Sequence, residues 1–181
     1  MRQPGSNKRL SAALAAVLLT SLACGRQERV RLESATVEEP PGLASMVHVA
    51  DPKTSAQLLR GFHGVEQDAW RWTMGKFSVA LRPPANAPQK GAVLVLRYVA
   101  PDPLIDRIKK VSLSASIEGL DLPAETVQKS GEYTYRQEVP ASSLMEDAVT
   151  VNFSLNEFLP AGTVDQRELG VIVTAVGFEA K

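Results

Sequence analysis

One cysteine, two histidines and no apolar run long enough to cross a bilayer: each shortage in this 181-residue sequence excludes something. The lone Cys24 excludes an intrachain disulfide and a cysteine-rich zinc site. His48 and His63 leave little material for a histidine-based active site. Charge of one sign is also missing, because 20 Lys+Arg face 20 Asp+Glu. Nucleic-acid binding depends on clustered cations, so no nucleic-acid partner is expected. There is no Gly-x-Ser-x-Gly nucleophile turn, no Gly-x4-Gly-Lys phosphate loop and no EF-hand spacing. The residues imply no cofactor and no metal motif, with calcium on loop oxygens left as an open alternative.

What is present begins with an address. Residues 1–9 carry Arg2, Lys8 and Arg9 and no acid, and Leu10 to Ala23 is an uncharged, mostly apolar run of 14 residues. A membrane-spanning helix needs roughly 20 apolar residues. A basic start, a short apolar stretch and a small residue before a cut make a secretory signal peptide over 1–23. Thr20-Ser21-Leu22-Ala23-Cys24 resembles a bacterial lipoprotein signal, with Ser21 where a leucine is usual. The resemblance implies cleavage before Cys24, a lipid on its thiol and, through that lipid, the membrane as a partner. With Gly25 following the cysteine, it implies sorting to the outer membrane where two membranes exist. Losing residues 1–23 removes three basic side chains and no acid, leaving 17 against 20 and a net charge of −3. Mild acidity argues against a second, electrostatic hold on anionic lipid, so acyl chains would anchor the protein.

From 24 to 46 the chain has no aromatic residue and contains Glu38-Glu39-Pro40-Pro41-Gly42, a helix-incompatible spacer. Such text buries too little to offset ordering entropy and reads as a tether. All ten aromatic residues lie between Phe62 and Phe178, which places one domain at 47–181. There, apolar and polar residues alternate with period two at Val111–Ile117, Tyr133–Val139 and Val149–Leu155, the mark of strands with one buried face. Ala92–Val99 and Leu169–Phe178 read as central strands, and Phe77–Leu81 as a strand after a turn at Met74-Gly75-Lys76. Leu58–Phe62 and Val47–Ala50 add edge strands, and Pro103–Lys110 is a short helix at best. Prolines at 83–84, 88, 101, 103, 123, 140 and 160 are assigned to loops. The expectation is an all-β, antiparallel β-sandwich of the jelly-roll kind.

Candidate chemistry is sparse. Carboxylate pairs for glycoside hydrolysis exist at Glu66/Asp68, Asp102/Asp106 and Glu146/Asp147, but 20 acids generate such pairs by chance. His63, between Gly61-Phe62 and Gly64, reads as a solvated turn residue. Glu66-Gln67-Asp68-Ala69-Trp70-Arg71-Trp72-Thr73 stands out more. In a strand, Trp70 and Trp72 share one face, opposite Arg71 and Thr73. The two indoles either fill the core, the commoner fate of large aromatics, or form a platform for sugar rings, or divide between the two. Late in the chain, Asp165 and Arg167 have the parity to pair with each other or to reach Glu66 or Arg71. Such a pair commonly just closes a loop.

The early stretch Gly61-Phe62…Glu66…Trp70-Arg71-Trp72-Thr73 and the late one Asp165-Gln166-Arg167-Glu168-Leu169-Gly170-Val171 resemble a β-sandwich module of bacterial surface-polysaccharide proteins, often appended to glycosyltransferases. The likeness covers about 57–179 and implies a jelly-roll-like fold in a carbohydrate context, without a transferase domain. The expected function is therefore a lipid-anchored cell-envelope protein, not an enzyme, that binds or organises envelope polysaccharide. The expected ligand-binding residues are Glu66, Trp70, Arg71, Trp72, Asp165 and Arg167. The alternatives are an accessory lipoprotein of an envelope export or assembly complex, and a hydrolase using Glu66 or Asp68 with Asp165.

Overall fold

The computed structural model describes residues 42–181. The expectations for the signal peptide, for Cys24 and for the tether up to residue 41 lie outside those residues.

Nine strands make up most of the fold: β1 (Met46–His48), β2 (Leu58–Glu66), β3 (Trp70–Leu81), β4 (Ala92–Ala100), β5 (Val111–Ile117), β6 (Leu120–Val127), β7 (Gly131–Val139), β8 (Val149–Leu155) and β9 (Ile172–Ala180). Two short helices, α1 (Ala87–Lys90) and α2 (Asp102–Ile108), lie on the connections flanking β4. Every strand pairing is antiparallel. One sheet runs β1-β9-β4-β7 and the other β3-β8-β5-β6, with β2 added on the free side of β3. That order is jelly-roll-like, a four-stranded and a five-stranded sheet over one core. The three alternating segments expected as strands are β5, β7 and β8, and the two apolar ones are central in the sheet as β4 and β9.

Four differences from the sequence reading have physical causes. Met74-Gly75-Lys76 is not a turn between strands but a corner inside β3. The strand's start pairs with β9 through Arg71 and Trp72, and its later half pairs with β8 from Lys76 to Leu81. Glycine is needed there because a Cβ on Gly75 would stand 2.1 Å from the Phe158 ring. Pro123 is not in a loop but within β6. It falls where the β5–β6 register shifts between Leu113 and Ala115, on an edge strand that needs no donor at that point. Pro88 and Pro103 sit in the first turns of α1 and α2, where a helix has no use for the missing N–H. Finally, Phe178 N–H donates to Ser45 O at 2.7 Å and Arg82 N–H to Ala44 O at 3.2 Å, so the sandwich takes in residues ahead of the expected start at 47.

The inward residues of both sheets form one core. Phe77 of β3 and Phe153 of β8 stack at 4.9 Å and 11°, and Tyr135 of β7 meets Phe153 edge-on at 6.4 Å. This contact joins the two sheets. Phenols tie the edge strand β6 to the opposite sheet: Tyr98 Oη of β4 donates to Glu125 at 3.0 Å and Tyr135 Oη of β7 to Pro123 O at 2.8 Å. Burial pushes the Tyr135 phenol up to about 12 and raises that of Tyr98, so both remain donors.

Candidate functional site

The candidate residues lie on two pieces of chain, the β2–β3 hairpin and the long β8–β9 connection. Glu66-Gln67-Asp68-Ala69 closes the hairpin with both central residues at positive φ (50° and 52°) and Ala69 N–H bonded to Glu66 O at 3.1 Å. This is the geometry of a type I′ turn, whose twist matches the strands it joins. It puts Asp68 at the exposed tip while Glu66 stays in the ladder opposite Trp70. The two acids thus do not share a strand face, and the proposed Glu66/Asp68 pair is not formed. Asp102 and Asp106 lie exposed on α2, and Glu146 and Asp147 lie exposed in the loop before β8.

The late loop is sewn onto β3. Thr73, fully buried, bonds through its backbone N–H to Val171 O at 2.8 Å and through its carbonyl to Gly170 N–H at 2.6 Å. Its hydroxyl accepts from Val171 N–H at 3.1 Å and donates to Val171 O at 3.2 Å. Replacing Thr73 with valine keeps the shape but orphans a buried N–H, so about 1–3 kcal/mol of stability should be lost in urea unfolding.

This seam carries Arg167 to Glu66. The guanidinium holds Asp165 bidentately, through Nε at 3.1 Å and Nη2 at 3.0 Å, and reaches Glu66 Oε1 with Nη1 at 2.8 Å. Asp165 also accepts the Arg167 backbone N–H at 2.9 Å. Those bonds hold the Asp165 carboxyl down at about 2 and raise the Arg167 guanidinium. Asp165 therefore has no proton to donate near neutrality, as an acid catalyst would need. Folding lowers the Asp165 pKa from 3.8 to about 2, so the clamp's contribution is full above about 3.8 and is lost as pH falls through about 2. Acid titration followed by tryptophan emission should show a loop transition in that window, absent in Asp165→Asn.

Arg71 does not join the clamp. Its Nε donates to Val49 O at 2.7 Å and its Nη1 to His63 O at 2.9 Å, tying β2 and β3 to the segment after β1. Trp70 and Trp72 do share a face, edge-to-face at 6.4 Å and 76°. Both are half-buried, but only Trp72 packs against the core. The pair is therefore divided, one indole supported from below and the other on the rim.

Two residues belong to this assembly that the sequence reading set aside. His63 is not in a turn but inside β2, where Nε2–H donates to Glu168 O at 2.7 Å. The Glu168 carboxylate in turn accepts Gly75 N–H at 2.8 Å. Their spacing in sequence, 105 residues for the first pair, carries no local signal. Among the described residues, no group of three or more His, Cys, Asp or Glu is placed to hold a metal ion.

No protein-family model matches this chain, and no curated protein matches it. Among solved structures, the dimeric latent PorU of Porphyromonas gingivalis is 12% identical with a TM-score of 0.38, over 59% of this chain and 10% of that one. A cycloisomaltooligosaccharide glucanotransferase of Paenibacillus sp., complexed with cycloisomaltoheptaose, is 8% identical with a TM-score of 0.41, over 76% of this chain and 18% of that one. The carbohydrate-binding module CBM4 is 11% identical with a TM-score of 0.35, over 75% of this chain and 85% of that one. The chain thus spans less than a fifth of the first two. With such identities and TM-scores, these likenesses establish no catalytic role and no ligand for this chain.

Proposed function

We propose that the chain is a lipid-anchored cell-envelope protein whose β-sandwich binds or organises envelope carbohydrate without catalysing a reaction. The observation that carries the reading is the half-buried Trp70–Trp72 pair, with Trp70 paired across the hairpin with Glu66, whose carboxylate meets the Arg167–Asp165 ion pair of the β8–β9 connection. Indole faces stack on the C–H faces of sugar rings, and a charge-compensated clamp offers acceptors and donors of fixed direction to hydroxyl groups. The likeness of the early and late motifs to surface-polysaccharide sandwich modules supports the same context. Anchoring would rest on Cys24, as the lipoprotein-like signal implies.

The test is retention on immobilised envelope polysaccharide. Trp70→Ala with Trp72→Ala should abolish retention while the circular dichroism spectrum stays native. Retention unchanged in that variant would overturn the indole site. For the anchor, Cys24→Ala should move the protein from the membrane fraction to the soluble one. A second reading is an accessory lipoprotein that contacts a protein partner. It predicts cross-linking to an envelope protein and no glycan retention by the native chain.

A further inference from the structure

A second polar surface lies on the outside of the β3-β8-β5-β6 sheet, and no tryptophan lines it. Its residues are the outward positions of strands whose inward positions fill the core. The register sets them in rows across the sheet. Arg60, the buried Ser78, Asn152, Ser116 and Asp121 are successive partners from β2 to β6. Two residues along, Lys76, Ser154 and Ser114 form a second row. Neighbouring strands are about 4.8 Å apart, so polar groups recur across the face at that interval.

The rows line a shallow groove of about 260 Å³, with Arg60 and Lys76 on one side and Asp121 on the other. Arg60 Nη2 donates to Asn152 Oδ1 at 3.1 Å. Among the described residues neither Arg60 nor Lys76 has a carboxylate partner; the ion pairs there involve Arg136, Arg167 and Lys181. Two uncompensated cations on one groove repel each other, and an anion between them relieves that repulsion. The serines beside them both donate and accept, which matches hydroxyl groups. No aromatic ring faces outward in either row, so this surface is not a stacking site.

We propose that this face binds a carboxylate-bearing polysaccharide, with Arg60 and Lys76 holding a carboxylate and Ser114, Ser116, Asn152 and Ser154 reading neighbouring hydroxyls. The site shares no lining residue with the indole pair. It adds an acidic ligand class to the carbohydrate reading.

Electrophoresis of the full chain in native gels containing polygalacturonate, or neutral dextran, tests it. Polygalacturonate should retard the protein at low salt and dextran should not. Arg60→Gln with Lys76→Gln should weaken the polygalacturonate affinity by roughly tenfold or more, as expected for losing charge-assisted bonds. Ser154→Glu, which places a carboxylate next to Lys76 without touching the core, should do the same. Lys109→Gln with Lys110→Gln removes the same charge from an exposed site after α2 and should change nothing. Equal loss in that control would mean general attraction and would overturn the proposal, as would no retardation of the native chain. Loss in the Trp70→Ala/Trp72→Ala variant alone would move the acidic ligand to the indoles, sinking this site and sparing the carbohydrate reading.

Discussion

Replacing Phe153 with alanine is expected to lower the unfolding free energy by about 3–5 kcal/mol, a large share of what a domain of this size possesses. Phe153 is fully enclosed, stacked on Phe77 within its own sheet and edge-on to Tyr135 of the opposite sheet. Alanine leaves a void at the one aromatic contact that joins the two layers, and close-packed neighbours collapse into such a void only in part. Phe153→Leu should cost much less, because it keeps most of the volume. Urea unfolding of both variants checks the pair. A loss under about 1 kcal/mol for alanine would show that the aromatic cluster is not what holds the sheets together.

Gly61→Ala should be nearly as damaging, by about 2–4 kcal/mol, although it adds a single methyl group. Gly61 lies in β2 at φ +75°, where an L side chain is strained, and a Cβ there would stand 2.1 Å from Lys76 O and 2.7 Å from Phe77 Cα. Those are backbone and core atoms of β3, so β2 would have to move off its partner. Since β2 carries His63 and Glu66, the expected signature has two parts. Stability falls, and glycan retention is lost even where the variant remains folded, with a red shift of tryptophan emission. Native retention in a folded Gly61→Ala would mean that β2 contributes nothing to the site.

Much of this architecture was legible along the chain. The alternations in Val111–Ile117 and Val149–Leu155 give β5 and β8 residue for residue, because a strand with one face in a core and one in water must alternate. β6 was missed because Leu120-Asp121-Leu122-Pro123-Ala124-Glu125 breaks that rhythm. An edge strand with a bulge tolerates the break, and only pairing with β5 makes it a strand. The corner at Gly75 left a glycine signal that any reader of sequence takes for a turn. Whether the chain reverses there or merely changes sheets depends on β8 and β9, which are distant in sequence.

The site divides in the same way. Residue order settled that Trp70 and Trp72 face one side and that Asp165 and Arg167 sit two apart, since both follow from strand and loop geometry over a few residues. Tertiary structure alone decided that Arg167 spans to Glu66, that Arg71 turns instead to Val49 and His63, and that Trp72 leans on the core while Trp70 does not. Strand periodicity is written locally by the need to hide one face from water. The partner that Arg167 meets across the clamp is set by a segment 101 residues away, and no local pattern encodes that distance.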